Sequence, residues 1–343
     1  MESRSGHVEI RFRKTVKKRF LTEPDGISLI SGKQRFLIAA VLLAAVLLCM
    51  VFLAHTLVKT EKLRVASGDE YQLAGLSGIH LLFHGNVWGT PIFHWVDSGE
   101  DKSIEMERLT AGGKSYAVLI FGTGIKIFDG GTEVTEYKID GSTTPISSFV
   151  TDYDGDGNDD VFLLLKKRGA LYGDRLIILE FNGVKTKKTY DASFQKLNPW
   201  KVQVCDVDGD GKKEVSLGVY TVAKYHPVYA KRPFLYYFHN NKLYPKWLGS
   251  RLSRPFDDYV FCDLDGDGLD ELISVESTRE GKKELNAYKW TGFGFESIGV
   301  SDAFDQMVAL NSDGKTVSAV CGKQGAGTPS VFYYSRGKFE TEG

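Results

Sequence analysis

The sequence predicts an all-β body of repeated four-stranded units, preceded by one apolar α-helix. Three observations carry that expectation: an uncharged run of 19 residues from Phe36 to Ala54, three closely matching acidic nonapeptides 54 and 57 residues apart, and short apolar runs after each nonapeptide. The 343 residues are 42% hydrophobic and 25% charged, with a formal net charge of −1. That is a globular balance. Four Cys are too few for a disulfide framework, and near-neutral charge argues against a dedicated nucleic-acid binder. The charge is unevenly placed: residues 1–35 hold nine Lys or Arg against four Asp or Glu, a surplus of +5, which leaves −6 for the rest.

The run FLIAAVLLAAVLLCMVFLA contains no charge, Pro or Gly. As a helix it is about 28 Å long, close to the hydrocarbon thickness of a bilayer. Twelve of its residues are Leu, Ile, Val or Phe, so insertion is favourable by about 4 to 7 kcal/mol. A cleaved signal peptide should have an apolar core of about 7 to 15 residues and a small-residue cleavage site, and neither fits. Lys17, Lys18, Arg19, Lys33 and Arg35 precede the run, against Lys59, Lys62 and Arg64 after it. The positive-inside bias therefore places the N-terminus in the cytoplasm and the bulk of the chain outside it. The expected organisation is a basic cytoplasmic tail (1–35), a transmembrane helix (36–58), a linker (59–75) and an extracytoplasmic domain (76–343).

The nonapeptides are DYDGDGNDD from Asp152, DVDGDGKKE from Asp206 and DLDGDGLDE from Asp263. Each has Asp at positions 1, 3 and 5, Gly at 4 and 6, and an acid at 9. Four carboxylates in nine residues repel one another unless a cation sits among them, and an oxygen-only set selects a hard ion, Ca²⁺ before Mg²⁺. Glycine permits the positive φ that curls the chain around such an ion. The expected ligands are Asp152, Asp154, Asp156, Asn158 and Asp160; Asp206, Asp208, Asp210, Lys212 and Glu214; and Asp263, Asp265, Asp267, Leu269 and Glu271. At position 7 (Asn158, Lys212, Leu269) the backbone carbonyl is the ligand, which leaves the side chain free to vary. Three Ca²⁺ sites result. An EF-hand would require Glu at position 12 and flanking helices. Position 12 is instead Leu163, Leu217 or Ser274, in runs that read as strands.

These D-x-D-G-D-G-x-x-[DE] loops between strands resemble the calcium loops of FG-GAP or VCBS-type repeats, the blades of integrin α-subunit-like β-propellers. The resemblance covers roughly residues 104–343 and implies a calcium-binding propeller. Strand counting agrees with it. VFLLL, LIILEF and VKTKKTY follow the first loop, with Asn182-Gly183 as a hairpin turn. VSLGVY, FLYYFH and KLYPKWL follow the second, and LISVES, LNAYKW and FESIGV the third. With the strand leading into each loop, every unit supplies the four strands of a blade. Two altered copies, TAGGKS from Thr110 and NSDGKT from Asn311, extend the series without a metal site. Residues 66–103 offer a sixth partial blade or a closing strand, so the fold class is a β-propeller of five or six four-stranded blades behind one transmembrane helix.

Cys205, Cys262 and Cys321 read as small buried residues. The connections opposite the acidic loops, 166–175, 221–233 and 277–284, sum to +3, +3 and +1 and interleave Tyr172, Tyr225 and Tyr229. Together these features suggest a single-pass cell-membrane protein, N-terminus inside, that displays a calcium-stabilised binding or adhesion module. Its partners would be the membrane and an anionic wall polymer, polysaccharide or protein ligand, not nucleic acid. The alternative is an extracellular carbohydrate-active enzyme of polysaccharide lyase type, although no G-x-S-x-G or H-E-x-x-H motif is present.

Overall fold

The computed structural model describes residues 59–66, 69–76, 79–86, 92–97, 105–249, 251–323 and 326–341, and side-chain surroundings from residue 105 onward. Phe36–Ala54 lies outside them. Among the described residues no helix is long and apolar enough to cross a membrane. Every described residue belongs to one compact unit, Val58–Gly343.

Among the described residues, strands follow one another in six antiparallel meanders of four. The first comprises β1 (Lys59–Ala66), β2 (Asp69–Leu76), β3 (Ile79–Asn86) and β4 (Ile92–Asp97), and the second β5 (Glu105–Ala111), β6 (Lys114–Phe121), β7 (Gly124–Asp129) and β8 (Thr132–Lys138). β9 (Thr143–Thr151), β10 (Asp160–Lys167), β11 (Arg175–Phe181) and β12 (Thr186–Ser193) form the third. The fourth contains β13 (Pro199–Cys205), β14 (Glu214–Ala223), β15 (His226–His239) and β16 (Lys242–Trp247). β17 (Phe256–Cys262), β18 (Glu271–Ser277), β19 (Lys283–Trp290) and β20 (Phe295–Val300) make the fifth, and β21 (Gln306–Ser312), β22 (Val317–Lys323), β23 (Ala326–Ser335) and β24 (Lys338–Thr341) the sixth. Each meander is a sheet in chain order, and the last two are joined by one parallel pairing, Val300 with Lys338. The first strands lie against one another in succession, β1 on β5, β5 on β9, β9 on β13, β13 on β17 and β17 on β21. The architecture is all-β and propeller-like.

Two sequence expectations change. Residues 59–75 are not a linker, because β1 and most of β2 occupy them; the segments KTEKLRVA and DEYQLAGL hide their strand character behind charged residues. The segment 221–233 is not a loop either. β14 and β15 continue through it as a long hairpin, pairing Val219 with Arg232 and Thr221 with Ala230, and turn only at Lys224-Tyr225.

The cores lie between consecutive meanders. Along β10, Val161, Leu163 and Leu165 pack toward β5–β8, while Phe162 and Leu164 pack toward β13–β16. A strand covered on both faces gains nothing from polar alternation, which explains the unbroken apolar run VFLLL. Where a neighbour's ring approaches closely, the strand has a small residue: a Cβ on Gly218 would lie 2.9 Å from Tyr259 and 3.0 Å from Trp200. Ser216 on the same face meets the Tyr259 hydroxyl at 2.9 Å. Cys205, Cys262 and Cys321 are buried and unpaired, as expected.

Leu163 is fully buried, so Leu163→Ala should destabilise the fold by about 2–5 kcal/mol. Denaturant melts of the purified protein measure this loss. A change below about 0.5 kcal/mol would contradict a packed core at this interface.

Candidate metal centre

Each acidic nonapeptide closes a hairpin between the first two strands of its meander. Position 9 forms the last backbone pair with the residue before position 1: Asp160 with Thr151, Glu214 with Cys205 and Glu271 with Cys262. Positions 1–8 therefore form the turn. Its curl depends on positive φ at both glycines, 79° and 87° in the first loop at Gly155 and Gly157. Inside the turn the carboxylates accept backbone hydrogen bonds. Gly155 and Gly157 donate to Asp152 at 2.8 and 3.0 Å, Gly209 donates to Asp206 at 2.7 Å, and Gly266 and Gly268 donate to Asp263 at 2.8 and 3.1 Å.

Carboxylate oxygens converge in all three loops. Asp152, Asp154 and Asp156 lie within 4.8 Å of one another, as do Asp206, Asp208 and Asp210, and Asp263, Asp265 and Glu271. Asp267 stands outside the third group and is bound by Lys289. Asp160 and Glu214 also stand outside their groups. At position 7 the backbone N–H of Asn158, Lys212 and Leu269 donates to the position-5 carboxylate, at 2.7, 2.8 and 3.0 Å.

The position-9 acids are buried under the turns. Glu214 and Glu271 each accept the backbone N–H of position 2, from Val207 at 3.2 Å and Leu264 at 3.0 Å. Asp160 is shorter by one methylene and only 6% exposed, and its carboxylate has no hydrogen-bond or ion-pair partner among the described residues. Burial, then Asp154 and Asp156, push its carboxyl up to about 8. Burial likewise moves Glu271 up to about 7, with Asp265 adding to it against the Leu264 hydrogen bond. The fully buried Oε1 of Glu271 accepts no hydrogen bond. Oxygen-only donors, a three-carboxylate cluster and a buried Glu271 oxygen that accepts no hydrogen bond and has only Lys289 at 3.5 Å suit a hard divalent cation.

Position 8, which the sequence did not single out, clasps each loop to the meander before it. Asp159 donates its N–H to the Thr110 carbonyl at 2.7 Å and accepts the Thr110 N–H at 2.6 Å. Asp270 and Asp206 exchange the same two bonds, each at 2.8 Å. In the middle loop Lys213 takes over, its Nζ donating to Thr151 Oγ1 at 2.9 Å and the Asp152 carbonyl at 2.7 Å. The loops are thus mechanically linked.

The far ends of the same strands differ in chemistry. Tyr172, from the β10–β11 connection, stacks on Tyr220 at 5.4 Å, and Tyr220 meets Tyr229 at 5.7 Å. Leu171 and Tyr225 are 79% and 80% exposed at the turn tips. Two of the expected surface cations are not available there. Arg232 is fully buried and donates to the carbonyls of Thr221, His226 and Val228. Lys231 lies 4.3 Å from the Trp200 ring centroid and donates to the Asp257 carbonyl. Lys167 and Lys224 remain exposed.

No known family profile matches the chain, and no curated protein does. Among solved structures, the chain resembles BBS1N in complex with ARL6DN at 13% identity and a TM-score of 0.48, with 79% of this chain and 77% of that one covered. It also resembles a putative 6-phosphogluconolactonase from Bacteroides uniformis at 12% identity and a TM-score of 0.48, with 80% of each chain covered. At these scores the likenesses add nothing to the strand pairing described above.

A carboxyl raised in the folded state contributes stability below its unfolded value that disappears as pH rises through the folded one. Metal-free protein should therefore lose stability from about pH 4 through about 8, the window set by Asp160. Asp160→Asn should flatten that slope in denaturant titrations. Stability rising over the same window in the wild type would contradict the burial of an uncompensated acid.

Proposed function

We propose that the chain is a membrane-anchored, extracytoplasmic β-propeller of FG-GAP or VCBS type, whose six meanders close into a ring and whose acidic loops hold Ca²⁺. Phe36–Ala54 is its single span, with the N-terminus in the cytoplasm. It acts as a binding or adhesion module for an anionic polymer or glycan. The observation that carries this reading is the separation of two chemistries along each strand. Acidic turns cluster at one end of the β9–β10, β13–β14 and β17–β18 hairpins, and stacked tyrosines with exposed Leu171, Tyr225 and Lys224 project from the other.

The metal's role in this reading is structural. Asp152, Asp154, Asp156 and Asp160 would hold it in the first loop, with the corresponding acids in the others, and its chemistry is charge neutralisation. Binding to the folded state alone stabilises it by about 2.7 kcal/mol at a hundredfold excess over Kd. Extracellular calcium modules bind at about 10⁻⁴ to 10⁻³ M, compatible with an exterior location.

A carbohydrate-active enzyme would need free reactive groups in a cavity. The first strands line one of about 1270 Å³. Of its acids at the end opposite the acidic loops, Asp258 pairs with Lys201 at 2.7 Å and Asp257 with Lys283 at 2.5 Å, and Glu105 accepts the Ser148 hydroxyl, which favours binding over catalysis.

Retention on immobilised polygalacturonate tests the ligand class. Lys167→Glu with Lys224→Glu and Tyr225→Ala should reduce retention at least tenfold while the melting temperature stays unchanged. Undiminished retention would remove this end of the domain as the binding surface. Chelation by EGTA should separately lower the melting temperature, and an unmoved transition would argue against structural calcium.

A further inference from the structure

The three acidic loops share a sequence pattern but not a charge balance. In the second, Lys246 of β16 places its ammonium 2.5 Å from both Asp208 Oδ2 and Glu214 Oε1. In the third, Lys289 of β19 lies 3.0 Å from Asp265 and 3.5 Å from Glu271, and also contacts Asp267. Both lysines are largely withdrawn from solvent, with side chains 16% and 28% exposed. Each ammonium bonds at least one carboxylate of the converging group, Asp208 in the second loop and Asp265 with Glu271 in the third, so it competes with a divalent ion for those oxygens.

The first loop has no such group. On β11 the residue paired with Asp160 is Glu180. In the fifth meander Leu272 pairs with Tyr288, so the matching place opposite Glu271 falls to Lys289. An acid therefore stands in the first meander where the fifth has its lysine. Among the described residues no Lys or Arg makes an ion pair with Asp152, Asp154, Asp156 or Asp160. Asp160, 6% exposed and without an ion-pair partner among these residues, lies beside three more acids that backbone N–H groups and the Lys213 ammonium on the Asp152 carbonyl compensate only in part.

Resting on the calcium reading above, we infer that Lys246 and Lys289 are tethered counterions that compete with calcium at the second and third loops. The first loop is then the tight, obligatory site, and the other two fill only when calcium expels a lysine. Expulsion breaks short charge-assisted hydrogen bonds before the ion gains its ligands, which weakens apparent affinity. The third meander is thus locked at low calcium, and the fourth and fifth respond over a higher range.

Isothermal titration of the calcium-stripped, full-length protein with CaCl₂ tests this ranking. The wild type should show one tight site and two at least tenfold weaker. Asp152→Asn with Asp160→Asn should remove the tight class and spare the weak one, and Lys246→Met with Lys289→Met should tighten the weak class at least tenfold. Three equal wild-type sites that ignore the lysine changes would overturn the ranking while leaving the calcium reading intact. Absence of binding throughout would overturn both. Because a lysine variant can misfold when a buried acid loses its partner, amine labelling of the wild type gives a second measurement. Peptide mass spectrometry should show Lys246 and Lys289 protected without calcium and labelled at saturation, and unchanged protection at saturation would also overturn the proposal.

Discussion

Mutual repulsion among carboxylates is the constraint on which the rest of this structure depends. Each nonapeptide concentrates four or five acids where the chain must reverse between the first two strands of a meander. Two glycines make the reversal sterically possible and backbone N–H groups neutralise part of the charge, but the acid at position 9 is buried directly beneath. Desolvated charge of one sign is costly unless compensated. How each loop meets that cost decides whether its hairpin stays closed.

The cost extends beyond the turn because the turns are linked. Asp159, Lys213 and Asp270 tie their loops to the preceding meander, and Cys262 continues the series with a weak S–H contact to the Thr316 carbonyl at 3.8 Å. The apolar cores also lie between meanders and not within them. Loop closure and sheet stacking therefore act on the same interfaces. A strand such as β10, covered on both sides, transmits a disturbance at Asp160 to two cores at once. The opposite ends carry no comparable density of acid, which leaves the Tyr172, Tyr220 and Tyr229 stack and the long β14–β15 hairpin free to project.

Much of this was legible in the sequence because its signals are local. The D-x-D-G-D-G pattern located three hairpin turns, and VFLLL, VSLGVY and LISVES marked strands buried on both faces. The hairpin at Asn182-Gly183 formed where the residue types required it, with Gly183 at φ 87°. What stayed hidden depends on pairing between distant residues. Lys246 and Lys289 lie 32 and 18 residues beyond the acids they meet, in strands whose register no motif fixes. Position 8 tolerates Asp or Lys because both can reach the preceding loop, so it looked variable. Arg232 looked like a surface cation until its hairpin extended and enclosed it, and β1 and β2 looked like a linker because charged residues dilute their strand pattern.

The central claim, that crowded acid turns are held closed by a divalent ion, is tested most directly by anomalous scattering from crystals grown in calcium. The account predicts a calcium peak among Asp152, Asp154 and Asp156 at millimolar calcium. A first loop with no peak there, its carboxylates bound only by water and backbone, would contradict it.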